Sequence, residues 1–184
     1  MKIEATPVVA QGLRYIVHNL RPRDRREIFA LRWSLDEEAF VAEVCGVAGD
    51  LWRMWAVDGE PVAVNGVVPV RSGVVIAGAF GTRRWRQVIR PMTRWSLDYV
   101  IPTLRASNYH RGEAYVLAEN TDSRRWIELL GGEIEAVLKA FGGGREDFLL
   151  YAWDLTREKE RGHRVLLRGL QPADRPKDGG CQLH

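Results

Sequence analysis

Three arginines lie within four positions of the chain and could bind an anion. Arg83, Arg84 and Arg86 belong to a stretch between Thr82 and Arg105 that holds six arginines and a single acid, Asp98. Guanidinium groups bind phosphate oxygens through paired hydrogen bonds, so these three are candidate phosphate ligands. The same pattern also suits a solvated helix face or a surface that docks a partner. The residues alone leave these interpretations open.

Cysteine and histidine offer little further chemistry. Cys45 and Cys181 are far apart in the sequence, and we interpret them as unrelated thiols in a reducing compartment. The four histidines show no ligand spacing such as His-x-x-x-His. The sequence therefore predicts no metal site.

Length and composition predict one folded domain. The chain has 184 residues, of which 46% are hydrophobic, enough for one core and too few for two ordinary domains. No apolar run approaches the roughly 18 residues of a membrane helix, and the N-terminus lacks the apolar segment of a secretory signal. We expect a domain over residues 1–155 and a basic, largely extended tail over residues 156–184.

Charge is distributed unevenly between these two parts. The net charge is +3, and residues 156–184 hold seven Lys or Arg against four Asp or Glu. The tail thus accounts for the whole excess, and residues 1–155 balance to zero. General affinity of the domain for nucleic acid is not indicated. The two local basic features are the tail and the arginine-rich helix predicted after Thr82.

The first half of the domain predicts a strand, two helices and a three-stranded meander. Leu13–Val17 predicts the first strand; Pro22 opens one helix, and Asp36 caps a second that ends at Gly49. Asp58-Gly59 has the composition of a tight hairpin turn. The meander strands are predicted over Leu51–Val57, Val62–Val70 and Val74–Phe80.

The second half alternates helices and strands. Thr82 begins a long helix to about Ser107, bent near Pro91, with Pro102 a second point of bending. The remaining elements are a strand (Glu113–Ala118), a helix (Thr121–Leu130) ended by Gly131-Gly132, and a hairpin of Glu133–Phe141 with Asp147–Leu155. The fold class is a single α/β (α+β) domain, with a mixed, mostly antiparallel sheet of about seven strands and about four helices.

This element order and one local motif resemble the GNAT superfamily of N-acetyltransferases over residues 13–155. The segment Glu119–Gly132 is similar to the family's Asn-x-x-Ala…Leu-Tyr-x-x-x-Gly-Phe stretch beside the pantetheine arm of acyl-CoA. Asn120, Ser123 and Gly131 fall at corresponding places. The resemblance implies a GNAT-like fold and makes Asn120 a candidate cofactor-binding residue.

Two departures from the family pattern bear on activity. GNAT enzymes carry Arg/Gln-x-x-Gly-x-Gly/Ala after the fourth strand, where bare backbone approaches the CoA diphosphate. Here no glycine occurs between Gly81 and Gly112. We expect the side chains of Arg86 or Val88 to occupy the space that the phosphate takes in the family. Ile127 stands where many relatives have a tyrosine that protonates the leaving thiolate, and it has no proton to give.

The resemblance also suggests a catalytic role for two carboxylates. Glu113 and Glu119 lie near the predicted fifth strand, where either could deprotonate an incoming amine through water. Both could equally be surface carboxylates at the ends of that strand. With acetyl-CoA bound between the fourth and fifth strands, Arg83, Arg84 and Arg86 would replace the missing glycine loop.

A closer resemblance is to the small GNAT-like proteins of short-tailed bacteriophages. It rests on Tyr15–Trp33, Ala79–Thr82 and Trp126–Gly131. The resemblance implies a location in the virion or the host cytoplasm and a role in virion assembly or DNA delivery. The partners would be other phage structural proteins, bound through the tail and the arginine-rich helix.

Three functions follow from these observations. The preferred one is a non-catalytic, virion-associated or assembly protein that uses no cofactor. The alternative is an acetyl-CoA-dependent N-acetyltransferase that acts on a host or phage amine. A nucleic-acid-binding module is the third, and the neutral charge of residues 1–155 counts against it.

Overall fold

A computed structural model describes residues 1–156, and seven strands form its single sheet. The strands are β1 (Ile3–Thr6), β2 (Trp52–Val57), β3 (Glu60–Arg71), β4 (Val74–Gly81), β5 (Arg111–Leu117), β6 (Glu133–Leu138) and β7 (Phe148–Asp154). Their order in the sheet is β1-β2-β3-β4-β5-β7-β6. Only β4 and β5 pair in parallel. The predicted mixed, mostly antiparallel sheet is confirmed. The tail predicted over residues 156–184 lies outside the described residues, apart from Thr156.

Helices cover both faces of this sheet. They are α1 (Ala10–His18), α2 (Pro22–Ala30), α3 (Glu37–Val47), α4 (Ile89–Trp95), α5 (Ile101–Ala106) and α6 (Thr121–Leu129). The neighbouring residues Met54 and Trp55 of β2 point to opposite faces. Met54 packs in a core with α1 and α3, whereas Trp55 packs in a core with α4 and α6. Each face of the sheet therefore has its own hydrophobic core.

Residues 13–17 lie within α1, so the strand predicted there is wrong. Leu13, Ile16 and Val17 are fully buried, whereas Tyr15 is 40% exposed. Apolar residues three and four apart on one buried face are the pattern of an amphipathic helix. The prediction gave β-branched and aromatic composition more weight than this spacing. The first strand is β1, which pairs with β2 at the edge of the sheet.

The helix start predicted at Thr82 is wrong, because a turn and a 3₁₀ turn (Trp85–Gln87) follow β4 and the α-helix begins at Ile89. The irregularity of the helix does not lie at Pro91 either. That proline sits in the first turn of α4, where a missing N–H is tolerated. A π-helical segment joins α4 to α5, and there the N–H of Ile101 donates to the carbonyl of Ser96. Pro102 follows directly and has no N–H to donate to the carbonyl of Asp98. The altered hydrogen bonding therefore coincides with the second proline.

Two local predictions about caps and turns are confirmed. Asp36 caps α3, because its Oδ1 accepts a hydrogen bond from the N–H of Ala39 at 3.0 Å. Asp58 and Gly59 connect β2 to β3 with φ values of 52° and 82°. Two consecutive residues with positive φ are the geometry of a tight hairpin turn.

Candidate functional site

The two parallel strands separate over half of their length. β4 and β5 pair only along Val74–Ile76 and Arg111–Glu113. Beyond these residues a cavity of about 120 Å³ lies between the strands. Its walls combine small residues of the strands with large apolar residues of α6 and β7: Ala77, Gly78, Ala114, Trp126, Ile127 and Trp153. Small side chains leave room between the strands, and the larger ones make that room apolar.

Two carboxylates of α2 bridge the far ends of the separated strands. Asp24 Oδ2 accepts a hydrogen bond from the N–H of Gly81, the last residue of β4, at 2.9 Å. Glu27 Oε2 accepts one from the N–H of Leu117, the last residue of β5, at 2.9 Å. The N–H of Arg21 donates to the carbonyl of Gly81 at 3.0 Å. The start of α2 is therefore fastened across the end of the gap.

Burial controls the protonation of both carboxylates. It raises the pKa of Asp24, an effect opposed by the ion pair with Arg21 at 2.6 Å. It also raises the pKa of Glu27 to about 7, although hydrogen bonds from Asn120 and Leu117 favour the ionised form. Glu27 lines the cavity. The cavity wall thus carries a carboxyl group that titrates in the range useful for general base catalysis.

The loop after β4 uses its backbone N–H groups within the chain. Thr82 donates to a carbonyl of β3 at 2.8 Å, and Trp85, Gln87 and Val88 donate to carbonyls three residues earlier at 2.9–3.1 Å. The N–H of Arg84 donates to the Thr82 hydroxyl at 3.2 Å. Five of the seven N–H groups from Thr82 to Val88 therefore already have acceptors.

Trp85 fills the space between the end of β4 and α6. Its side chain is 2% exposed and packs edge-on against Trp126, with ring centroids 5.4 Å apart. The guanidinium of Arg21 lies over the Trp85 ring at 4.4 Å. Gly81 permits this packing, because a Cβ there would lie 2.9 Å from the indole and 2.8 Å from the carbonyl oxygen of Val62. The indole occupies volume that bare loop backbone would leave open.

The three arginines predicted to bind phosphate do not share one environment. Arg84 turns toward β3, where it pairs with Glu60, and it also donates to Gln87 at 3.1 Å. Arg83 and Arg86 are exposed, and within residues 1–156 their side chains make no ion pair or hydrogen bond. The structure therefore separates Arg84 from the other two.

Asn120 lies at the closed end of the gap and is fully buried. Its Oδ1 accepts from the N–H of Ser123 at 3.4 Å at the start of α6. Its Nδ2 donates to Glu27 Oε2 at 2.9 Å. Both ends of the amide are therefore engaged within the protein. Its proposed contact with a cofactor stays a prediction.

Glu113 lies on the sheet face away from the cavity. It is 3% exposed and accepts hydrogen bonds from Arg71 and Arg111, each at 2.6 Å. Its neighbours Gly112 and Ala114 point the other way and line the cavity. The carboxylate is thus held by two guanidinium groups on the opposite face of the sheet.

Glu27, the carboxylate that lines the cavity, is not among the site residues predicted from the sequence. Glu119, the other predicted candidate, is exposed beyond the end of β5 and pairs with Arg26 of α2. A signal for Glu27 existed in the sequence: it follows Asp24 by three positions and precedes the apolar Ile28 and Phe29. Acids one turn apart beside the apolar face of a helix are candidates for burial. Their partners, backbone amides at strand ends, are set only by the tertiary fold.

The residues around this gap fit one part of acyl-CoA and not another. The apolar space between β4 and β5 suits an acyl chain. At the diphosphate end, five loop amides are engaged and the Trp85 indole fills the space, so a backbone cradle for phosphate is missing. Arg83 and Arg86 are cations near this end, but they stand on the exposed side of the loop.

Comparison with solved structures identifies the fold. The ribosomal-protein-S18-alanine N-acetyltransferase of Escherichia coli aligns with 86% of this chain and 97% of its own, at a TM-score of 0.60 and 15% identity. The phosphinothricin acetyltransferase of Sinorhizobium meliloti, in complex with acetyl-CoA, aligns with 88% and 95%, at 0.64 and 16%. Ard1 of Thermoplasma volcanium aligns with 84% and 98%, at 0.64 and 11%. No protein-family model and no curated protein sequence matches the chain.

The sheet order, the separated parallel pair and these alignments define a protein with the GNAT acetyltransferase fold. Identities of 11–16% establish the fold alone. Among residues 1–156, no helix has the length and apolar character needed to cross a bilayer. The same residues hold no cluster of three or more His, Cys, Asp or Glu side chains that could bind a metal ion.

Proposed function

We propose that this chain is a non-catalytic protein built on the GNAT fold, with an acyl-CoA site closed at its diphosphate end. The supporting observation is the loop Thr82–Val88, in which five of the seven backbone N–H groups donate within the chain and the Trp85 side chain is buried. The α2 carboxylates add to the closure, because they occupy the last backbone N–H group of β4 and of β5. The gap between the strands then remains as a structural feature of the scaffold.

Calorimetric titration with acetyl-CoA tests this closure. We expect no saturable heat at micromolar protein, whereas a GNAT enzyme known to bind acetyl-CoA, titrated under the same conditions, gives a complete isotherm. Two further ligands are titrated in parallel: desulfo-CoA, which lacks only the reactive sulfur, and adenosine 3′-phosphate 5′-diphosphate, which lacks the pantetheine arm and therefore reports on the diphosphate end of the cofactor alone. Saturable micromolar binding of acetyl-CoA to this chain would overturn the proposal.

The proposed role is that of a virion-associated or assembly protein of a short-tailed phage, in the particle or in the host cytoplasm. The resemblance of Tyr15–Trp33 and Trp126–Gly131 to GNAT-like phage proteins supports it. Other structural proteins of the phage are the proposed partners, bound through the arginine-rich segment and the tail over 156–184. Fractionation of purified, disrupted particles tests the role: we expect the chain in a particle fraction, and its absence from every fraction contradicts virion association.

A second candidate function is N-acetyltransferase activity toward a host or phage amine, and Glu27 favours it. This carboxyl group lines the cavity and has its pKa raised by burial to about 7, so it could accept a proton from an ammonium group. The test is acetyl transfer from labelled acetyl-CoA to polyamines, peptides and phage proteins. Transfer that disappears in Glu27→Gln and persists in Glu119→Gln would establish this candidate in place of the first.

A further inference from the structure

The arginines of residues 1–156 fall into two groups. Most contact a carboxylate or a backbone carbonyl group; examples are the pairs Arg14–Glu38, Arg25–Glu37 and Arg32–Glu43. Within the described residues, four arginines that follow β4 have no such partner: Arg83, Arg86, Arg90 and Arg94. Arg125 and Arg145 share this property, but each stands on a different element.

These four arginines form one exposed stripe, which we call the arginine stripe. They are three, four and four positions apart, and all four are exposed. Arg83 lies in the turn after β4, Arg86 in the 3₁₀ turn Trp85–Gln87, and Arg90 and Arg94 one turn apart in α4. Exposed and buried residues alternate with helical spacing across this segment. The opposite face carries Trp85, Val88 and Met92, which are 2%, 0% and 0% exposed. The stripe spans twelve residues, Arg83 to Arg94.

Without a bound ligand, the arginine stripe destabilises the segment that carries it. Like charges one helical turn apart repel and destabilise the helix. Most other arginines of residues 1–156 contact an acid or a carbonyl group, and Arg84 of the same loop pairs with Glu60. Among the described residues no carboxylate forms an ion pair with the stripe, so an anionic ligand would relieve the repulsion. Arginine is also enriched at protein interfaces.

The charge of the surrounding domain limits the size of that ligand. Residues 157–184 hold seven of the 27 basic and four of the 24 acidic residues, which leaves residues 1–156 neutral. Without the four stripe arginines, the rest of residues 1–156 therefore has a net charge of −4. A long polyanion such as duplex DNA extends beyond the stripe and meets this negative surface. A short acidic segment, comparable in length with the stripe, meets only the arginines.

We propose that the arginine stripe docks a short acidic segment of a partner protein, with carboxylates every three or four residues. The inference rests on the proposed function, which assigns the arginine-rich segment to partner binding, and it specifies the chemistry of the partner. The contacts are exposed ion pairs that weaken as salt screens them.

A binding experiment on the full chain tests the proposal. The probe is a fluorescein-labelled helical peptide of about 15 residues with glutamates at three- and four-residue spacing, measured by anisotropy at low and physiological salt. The test variant changes Arg83, Arg86, Arg90 and Arg94 to Gln. A control variant of equal charge changes to Gln four arginines that have partners: Arg14, Arg25 and Arg32, which pair with acids, and Arg53, whose guanidinium donates to the backbone carbonyls of Asp50 and Trp52. Circular dichroism confirms that both variants are folded.

We expect the peptide to bind the wild type, the stripe variant to lose about tenfold or more in affinity, and the control variant to change by less than about threefold. Equal losses in the two variants would show that only net charge matters, and would overturn the proposal. Failure of the wild type to bind, or tighter binding of a labelled DNA duplex at the same salt, would also overturn it. These outcomes are independent of the acetyl-CoA titration, which alone decides whether the cofactor site is closed.

Discussion

The gap between β4 and β5 and the loop that follows β4 belong to one cofactor site in GNAT enzymes, yet they differ here. The gap keeps its shape, with small residues on the strands and a cavity of about 120 Å³ between them. The loop Thr82–Val88 contains no glycine, five of its seven backbone N–H groups donate within the chain, and the Trp85 indole is buried. Strand separation depends on packing distributed over the whole sheet, whereas phosphate binding depends on a few bare amides. The first can therefore be present in a fold without the second.

The buried indole of the loop gives the largest expected effect. Trp85→Ala removes the contacts of Trp85 with Trp126 and Arg21, and we expect it to cost about 3–5 kcal/mol of unfolding free energy. Urea denaturation followed by circular dichroism measures the loss. Trp33→Ala is the matched control, because Trp33 is fully exposed and its removal should cost less than about 0.5 kcal/mol. A loss below about 1 kcal/mol for Trp85→Ala would mean that the loop does not depend on this residue.

At the gap, the prediction concerns how the stability of the protein depends on pH through Glu27. The pKa of Glu27 is raised from 4.5 to about 7 in the folded state, so between these pH values the folded protein keeps a proton that the unfolded chain has released. The stability of the fold therefore falls as pH rises through this window. Glu27→Gln removes this fall. We expect it to be more stable than the wild type by on the order of 2 kcal/mol at pH 8, and to lose that advantage near pH 5.

The control for this prediction is Glu119→Gln, an exposed carboxylate beside the same elements. It should keep the slope of stability against pH that the wild type shows. Thermal unfolding in matched buffers measures all three proteins. Parallel slopes for Glu27→Gln and the wild type would show that Glu27 is ionised like an ordinary surface carboxylate.

The smallest expected effect is the difference in stability loss between substitutions of two arginines in the same loop. Arg84→Gln removes the ion pair with Glu60 at a partly exposed site, and we expect a loss of about 0.5 kcal/mol. Arg86→Gln removes an unpaired charge next to other arginines, and we expect no loss or a slight gain. Differential scanning calorimetry at low salt measures both. A larger loss for Arg86→Gln would place it in an interaction within the domain.

The sequence predicted most of the sheet, because the meander strands and the final hairpin are set by alternation and turn residues. Asp58-Gly59 is one example, since the two positive φ values suit this residue pair. Its main failure was Leu13–Val17, where residues with high strand propensity form a buried helical face. There tertiary packing against Met54 and Phe80 outweighs local propensity.

The candidate site could be predicted only in part. The missing glycines were visible in the sequence, and they pointed to the altered loop. Glu113 and Glu119, the carboxylates proposed from the sequence, lie outside the cavity. Strand alternation places Glu113 on the other face of the sheet, and Glu119 pairs with Arg26, which is distant in the sequence. Glu27 could not be placed, since its partners are 90 and 93 positions away. Contacts between residues so far apart in the sequence depend on the topology of the whole fold.

The attachment of α2 to two different strands has a dynamic consequence. Asp24 holds the amide of Gly81 and Glu27 holds that of Leu117, and both acids belong to one rigid helical turn. Lifting α2 would release both amides in a single event. Their deuterium uptake should therefore follow one common rate, and this domain should open at that end as a unit or remain shut.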